Sequence, residues 1–135
     1  ASALAIARRN AERLGATVTF LRGDWYDALP ADATFDLIVA NPPYVAAGDP
    51  HLADLRFEPV QALTDGRDGL TCLQAIAAGA GRRLAPRGWL LVEHGYDQAA
   101  AVAALFARSG LGAEAHADGA GHLRVTVGQV RQVPV

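Results

Sequence analysis

The sequence is short of several features that mark particular classes of protein. It contains one cysteine, Cys72, so an internal disulfide bond is excluded. Lysine does not occur, and the 12 basic residues are arginines scattered along a chain of formal net charge −2, which disfavours nucleic acid as the main partner. No signal peptide is recognisable, and no apolar run approaches the roughly 20 residues of a membrane-spanning helix. We therefore expect a cytoplasmic protein without a membrane contact.

Methionine is also absent, and the sequence opens inside an amphipathic pattern. We therefore expect the natural beginning of the protein to lie upstream of Ala1. With 135 residues, of which 51% are hydrophobic, the chain is long enough to form one globular domain or part of one.

A strand followed by a rigid turn is the most informative segment. Residues 37–40 are apolar and partly β-branched, which predicts a buried strand. The two prolines that follow have no N–H group for a β-ladder, so the strand must end at Asn41. Ligands bind at the carboxyl ends of strands in open α/β sheets, which makes the Asn-Pro-Pro-Tyr turn of residues 41–44 a candidate site.

The residues of this turn suit a planar substrate that carries an NH2 group. The side-chain carbonyl of Asn41 and the main-chain carbonyl of Pro42 are acceptors, and each can take one hydrogen of such a group. Tyr44 offers a flat face against which a planar group can lie. The alternative is that the turn does no more than end the strand, since Asn and Pro are common turn residues.

The turn resembles the [Asn/Asp/Ser]-Pro-Pro-[Tyr/Phe/Trp] motif of S-adenosylmethionine-dependent methyltransferases that modify planar nitrogens. Three further segments resemble the HemK-like glutamine N5-methyltransferases, which act on peptide chain release factors. They are Gly-Asp-Pro-His-Leu at residues 48–52, Arg-Phe-Glu-Pro at residues 56–59 and Glu-His-Gly at residues 93–95. The resemblance covers almost the whole chain and keeps the order of the family's motifs.

This resemblance implies N5-methylation of the glutamine in the Gly-Gly-Gln loop of a release factor, with S-adenosyl-L-methionine as the cofactor. It implies catalytic roles for Asn41, Pro42 and Tyr44. The implied substrate-binding residues are Asn41, Pro42, Pro43, Tyr44, Arg56 and Glu58. For Arg56 and Glu58, the alternative is that they pair with each other or with solvent.

The implied cofactor-binding residues are Asp24, Trp25 and Asn41. By resemblance, Asp24 accepts a hydrogen bond from the adenine amino group, and Trp25 lies against the adenine ring. An ordinary core position is the alternative for Trp25. His94 is a candidate general base, but no Ser or Cys nucleophile motif accompanies it. The histidines lack the spacing of metal ligands, so no metal is predicted.

Two other functions remain open at this point. A methyltransferase of adenine or guanine amino groups in nucleic acid could use the same turn, but it should carry a basic channel, which the sequence does not suggest. A non-catalytic fragment is the second alternative, because the family's Gly-x-Gly-x-Gly cofactor turn is not found. The one similar sequence, Gly119-Ala120-Gly121, opens no predicted helix.

The predicted fold is α/β, the C-terminal portion of a class I methyltransferase Rossmann-like sheet with a terminal antiparallel hairpin. Helices are predicted where apolar residues recur every three or four positions, at residues 4–14, 73–84 and 99–106. Strands are predicted at residues 17–21, 37–40, 89–93, 112–117 and 123–127. Residues 45–69 show neither period and are predicted to form a long loop.

By resemblance the family's strand order is 3-2-1-4-5-7-6, with strand 7 antiparallel, and residues 17–21 correspond to strand 3. Strands 1 and 2, the glycine turn, the ribose-binding acid and the helical domain that grips the release factor are expected before Ala1. We therefore expect residues 34–127 to hold a sheet. We expect residues 2–24 to be loosely attached, paired against strand 4 or stabilised by another copy, and cofactor binding by this chain alone to be weak.

Overall fold

The computed structural model describes residues 2–131, and the contacts divide the chain into two compact units, Ala1–Ala33 and Thr34–Val135. The first unit contains helix α1, Ala3–Leu14. Ser2 caps its start by accepting a hydrogen bond from the Ala5 N–H, and Gly15 ends it in the left-handed conformation at φ 62°. This is the helix that the apolar spacing predicts.

The second unit is a sheet covered by two helices. Its strands are β1 (Phe35–Ala40), β2 (Leu84–Glu93), β3 (Glu114–Ala117) and β4 (Leu123–Gln129), in the order β1-β2-β4-β3. Strand β1 is parallel to β2, whereas β4 is antiparallel to both β2 and β3. This is the 4-5-7-6 part of the order that the family resemblance implies, so that prediction is confirmed.

The helices of this unit are α2 (Thr71–Ala80) and α3 (Ala99–Arg108). Their apolar residues pack on one face of the sheet and form the core with Leu90 and Val92 of β2. The largest buried side chain, that of Phe106, lies against Gly128 of β4, where an added Cβ would overlap the ring. The predicted loop after β1 contains two short 3-10 helices, Pro50–Ala53 and Val60–Ala62.

The predicted end of the second helix was wrong, because Leu84 does not continue α2. The helix ends at Ala80. The N–H groups of Arg82 and Arg83 then donate to the carbonyls of Gly79 and Ala80, three residues back instead of the four of an α-helix. Glycine is a poor helix former, and a glycine on each side of Ala80 favours this early end. Leu84 is instead the first residue of β2. Its spacing from Ala80 is compatible with a helix as well as with the start of a strand.

Strand β2 is longer than the predicted residues 89–93 because it contains an irregularity. Phe35 pairs with Leu84 and Leu37 pairs with Trp89, so β2 uses three more residues than β1 between these pairs. Arg87 lies in this irregularity at φ 69°.

The description of residues 37–40 as buried was also wrong for half of them. Leu37 and Val39 are 53% and 67% exposed, and Trp89, beside Leu37 on the same face, is 42% exposed. Ile38 packs against the core on the opposite face. The helices α2 and α3 thus cover one face of β1 and β2, while apolar side chains on the other face remain exposed.

Residues 17–21 are not part of any strand within residues 2–131. The predicted strand is therefore absent, although the sheet of residues 35–129 forms as expected without it. A strand needs a neighbour for its N–H and C=O groups, and a β-branched composition alone cannot supply one. No helix within the described residues has the length and apolar character required to cross a membrane.

Candidate active site

The Asn-Pro-Pro-Tyr turn begins directly after β1, at the edge where β1 and β2 both end. These two strands are parallel and pair up to Ala40 and Val92, so residues 41–44 and residues 93–98 leave the sheet side by side. Asn41 is exposed and Pro42 is buried. The structure therefore places the amide of Asn41 at the carboxyl end of the sheet, open to a ligand.

Tyr44 is held at its hydroxyl group by β2. Its O–H donates to Oε1 of Glu93 over 2.9 Å, while its ring packs partly against the core. Burial raises the pKa of Tyr44, and the hydrogen bond and negative charge of Glu93 raise this pKa further. The phenol therefore stays protonated and serves as a donor to Glu93.

Gln98 holds Tyr44 at its main chain. The side-chain NH2 of Gln98 donates to the carbonyl of Tyr44 over 2.9 Å, and its Oε1 accepts from the N–H of Gly95 over 2.8 Å. One amide side chain therefore joins the turn after β1 to the loop after β2. Both contacts were absent from the sequence prediction.

His94 is fully buried, and both of its ring nitrogens have partners. Nδ1 lies 2.8 Å from the carbonyl of Gly95, and because a carbonyl can only accept, Nδ1 carries the proton. Nε2 lies 2.9 Å from the hydroxyl of Thr126 and accepts from it in the neutral ring. A nitrogen that is buried and already bonded cannot reach a substrate, so the general-base role considered for His94 is not supported.

A second loop approaches Tyr44 through Gly69, which is buried at φ 78°. An added Cβ at this position would overlap the carbonyl oxygen of Tyr44, so only glycine allows the approach. Asp65 shapes the loop by accepting from the N–H groups of Arg67, Gly69 and Thr71. Burial alone would raise the pKa of Asp65, but these N–H groups outweigh it, and the pKa is lowered.

A cavity of about 500 Å³ lies beside the turn in the second unit. Tyr44, Val45 and Ala46 form one wall, and Gly95 to Gln98 belong to its lining as well. Its ionisable lining residues other than tyrosine are Asp49, His51, Asp68, Asp97 and Arg124. The volume is within the range of small-ligand sites, and Tyr44 faces both this cavity and Glu93.

Arg56 and Glu58, predicted to bind the substrate, do not line this cavity. Both are exposed, and within residues 2–131 no ion pair joins them. The guanidinium of Arg56 instead lies 4.7 Å from the ring centre of Phe57, which is 85% exposed. Pairing between Arg56 and Glu58 is thus not observed, and their substrate role remains a prediction.

Asp24 and Trp25 belong to the first unit. Trp25 has a left-handed backbone at φ 47°, which is unusual for an aromatic residue, and its side chain is 41% exposed. Gly23 packs so closely on Ala28 that a Cβ would overlap it. An exposed carboxylate beside an indole that is not in a core fits an adenine ring with its amino group. The alternative of a core position for Trp25 is wrong.

Two residues that shape the site, Gln98 and Gly69, were missed in the sequence, and Glu93 was noted only as part of the Glu-His-Gly segment. A role for Glu93 could have been predicted, because it ends a strand predicted to lie next to the Asn-Pro-Pro-Tyr turn. Gly69 and Gln98 carry no comparable signal, since their roles depend on where two loops cross.

The chain is similar to known methyltransferases. A family model described as "Methyltransferase small domain" matches residues 1–56. The release factor glutamine methyltransferase of Bordetella pertussis is 59% identical over 113 residues, which are 82% of this chain and 42% of the relative. The enzyme of that name from Neisseria gonorrhoeae is 52% identical over 131 residues, 94% of this chain and 48% of the relative. The chain spans about half the length of the curated relatives it matches.

Among solved structures, a methyltransferase from Pyrococcus furiosus superposes with a TM-score of 0.65 at 18% identity. The match covers 91% of this chain and 55% of that chain. It confirms the predicted methyltransferase fold of the sheet. The sequence identities to the curated enzymes show that the chain belongs to the release factor glutamine methyltransferase family.

Proposed function

We propose that this chain forms the substrate-facing part of an enzyme that methylates the N5 atom of a glutamine side chain in a peptide chain release factor. The observation that carries the proposal is the Asn-Pro-Pro-Tyr turn, open at Asn41 and fixed at Tyr44, at the carboxyl end of β1. The names of the curated relatives support the reaction and the class of substrate. Translation takes place in the cytoplasm, which is the compartment that goes with this substrate.

In this proposal, two acceptors orient the glutamine amide. Asn41 Oδ1 and the main-chain carbonyl of Pro42 each accept one N–H of the substrate NH2 group, so the nitrogen cannot rotate. The ring of Tyr44 bounds the site on the side of the cavity. The backbone of the turn need not move when the substrate binds, because the rings of Pro42 and Pro43 and the contacts of Tyr44 already fix it.

S-adenosyl-L-methionine would supply an electrophilic methyl group on a sulfonium; the carbon–sulfur bond would break as the amide nitrogen forms its bond to the methyl carbon, and the electron pair would stay on sulfur. Asp24 and Trp25 would hold the adenine of this cofactor, and Asn41 would be its contact on the turn. The substrate nitrogen would return to neutrality by losing one proton to water.

The main task of the site is to stabilise charge on the nitrogen. The amide lone pair is delocalised into its carbonyl, and positive charge grows on nitrogen as the new bond forms. The hydrogen bonds to Asn41 and Pro42 strengthen with that charge, so they favour the transition state over the ground state. One such preorganised contact is worth about 3 kcal/mol, or about a hundredfold in rate.

A chimeric enzyme tests the proposal. The 131 aligned residues of the Neisseria gonorrhoeae relative are replaced by this chain, and methyl transfer is measured on a release factor and on a single-stranded oligonucleotide. We expect methylation of the release factor alone. Asn41→Ala should lower kcat by about a hundredfold with a smaller effect on cofactor binding.

Asn10→Ala is the matched control, because Asn10 is exposed on α1. It should leave kcat unchanged. Methylation of the oligonucleotide would favour the nucleic-acid alternative, and a folded chimera without activity on either substrate would favour a non-catalytic chain. Near-normal turnover of Asn41→Ala would exclude the proposed role of Asn41.

A further inference from the structure

Gln98 makes the one side-chain contact that joins the carbonyl of Tyr44 to the loop after β2 in the part of the chain that the structure describes. We propose that Gln98 is a positioning residue for methyl transfer, which sets the backbone of the Asn-Pro-Pro-Tyr turn through the carbonyl of Tyr44. This inference rests on the proposed function, since it concerns the two acceptors that orient the substrate amide.

The position of Gln98 is fixed by a continuous series of hydrogen bonds that starts in β4. The hydroxyl of Thr126 donates to Nε2 of His94, and Nδ1–H of His94 donates to the carbonyl of Gly95. The N–H of Gly95 in turn donates to Oε1 of Gln98 over 2.8 Å. Because Thr126 and His94 are fully buried, the series starts from the core of the sheet.

The side-chain NH2 group of Gln98 contacts a closely packed carbonyl, that of Tyr44. Its Nε2 donates to the oxygen of Tyr44 over 2.9 Å, and buried Gly69 lies against the same oxygen and against Nε2. There is no space at Gly69 even for a methyl group, so this glycine packs directly on the carbonyl of Tyr44. The amide of Gln98 therefore selects one orientation of the peptide plane that follows Tyr44.

The orientation of this peptide plane affects the two substrate acceptors, Asn41 and the carbonyl of Pro42, because the segment between them and Tyr44 is short and stiff. Tyr44 is fixed at its hydroxyl by Glu93 and at its carbonyl by Gln98. Between Tyr44 and Asn41 stand two prolines, whose φ angles are restricted by their rings. A rotation at Tyr44 is therefore transmitted to the carbonyl of Pro42, and a displacement of about 1 Å at a reacting group can cost about a hundredfold in rate.

A purely structural role for Gln98 makes a different prediction. Its Oε1 also stabilises the turn before α3, since the N–H of Gln98 donates to the carbonyl of Gly95 and Oε1 accepts from the Gly95 N–H. If that turn were its whole purpose, only the acceptor Oε1 would matter. If Gln98 positions Tyr44, the donor Nε2 must matter as well.

Gln98→Glu separates the two roles in the same chimera. The introduced carboxyl keeps the acceptor for Gly95, but in its ionised form it has no hydrogen for the carbonyl of Tyr44. In its protonated form the O–H can donate again. The ionisable side chains around it are Tyr44, Glu93, His94, Asp97, Asp49, His51, Asp68 and Arg124. Four carboxyl groups against one arginine favour the protonated form of the introduced carboxyl, whereas the Gly95 N–H favours its ionised form, so both forms are reached by changing the pH.

We expect Gln98→Glu to lower kcat by about 10- to 100-fold at neutral pH, with the KM for S-adenosylmethionine nearly unchanged. The ratio of its kcat to that of the unsubstituted chimera at the same pH should rise as the pH falls. Gln98→Met keeps the approximate volume and has no donor and only a weakly accepting sulfur, so it should lose kcat without recovery at low pH. Gln74→Glu, at an exposed position of α2, is the matched control and should have no effect.

A kcat of Gln98→Glu equal to that of Gln74→Glu at every pH would overturn the inference. Amide exchange in the unsubstituted 135-residue chain and its variants gives a readout independent of activity. The N–H of Val45, which donates to Leu63, should lose protection in Gln98→Glu and regain it when the carboxyl is protonated. Unchanged protection would refute the positioning role even if the chimera proved inactive, whereas inactivity of the unsubstituted chimera would count against the proposed function alone.

Discussion

The two faces of the sheet have similar apolar side chains but different surroundings. On one face, Leu90 and Val92 are buried under α2 and α3. On the other, Leu37, Val39 and Trp89 are largely exposed. Neighbouring residues along β1 and β2 therefore alternate between a packed core and water, although the sequence of these strands shows no alternation.

This contrast shows that composition and burial are separate properties of a strand. Parallel strands with apolar residues on both faces are typical of sheets that have helices on both sides. The composition of β1 and β2 is of this kind, whereas α2 and α3 cover one face. The free energy of unfolding of this chain should therefore depend on the covered face, and a pair of leucine substitutions tests that expectation.

The largest effect is expected from shortening a leucine on the covered face. Leu90→Ala removes a fully buried side chain, and such changes usually cost about 2 to 5 kcal/mol. Leu37→Ala makes the same chemical change on the exposed face of the neighbouring strand and should cost less than about 0.5 kcal/mol. Urea unfolding of the two variants measures both values. Equal losses would mean that the two faces are buried alike in solution.

A smaller effect is expected where β4 meets α3. Gly128→Ala would place a Cβ against the ring of Phe106 and the carbonyl of Gly112, and overpacking of this kind costs about 1 to 3 kcal/mol. Gly119→Ala, in the hairpin turn, meets nothing within 4 Å and serves as the control. Thermal unfolding should separate the two variants. If Gly128→Ala were as stable as Gly119→Ala, the packing of Phe106 on β4 would be looser than the contacts indicate.

The smallest effect concerns the loop that precedes α2. The pKa of Asp65 is lowered in the folded chain, so its ionised form stabilises folding above the ordinary value of 3.8, and this contribution is lost as the pH falls below that value. Asp65→Asn should reduce the free energy of unfolding by about 1 kcal/mol near neutral pH, as loss of a helix cap does. The difference from the unsubstituted chain should shrink as urea titrations move from about pH 6 to about pH 3. A constant difference would show that Asp65 acts without its charge.

Much of this fold followed from local sequence patterns. The helix ending at Gly15, the helix before Gly110 and the hairpin around Gly119 are set by caps, turns and periodicity that nearby residues determine. The strand order came from the family resemblance, because no local pattern specifies which strands are neighbours. The Asn-Pro-Pro-Tyr turn was located correctly for a local reason, since proline cannot extend a strand ladder.

What could not be predicted depends on contacts between distant residues. The end of α2 was misplaced because Leu84 fits both a helical stripe and a strand. The strand at residues 17–21 was predicted from composition, which cannot supply a neighbour. Gln98 was overlooked because an amide side chain at the start of a helix has no distinctive pattern, and its role arises only where it meets the carbonyl of Tyr44.

The contacts of Tyr44 have a consequence for the time course of synthesis. Its partners Glu93 and Gln98 follow it by 49 and 54 residues, and ribosomes add roughly 5 to 20 residues per second. Tyr44 is therefore added to the chain roughly 3 to 10 seconds before the side chains that fix it have been made. Until then, Tyr44 and the apolar strand before it have no partner on β2, and slower translation of residues 45–98 would lengthen the period in which they can associate wrongly.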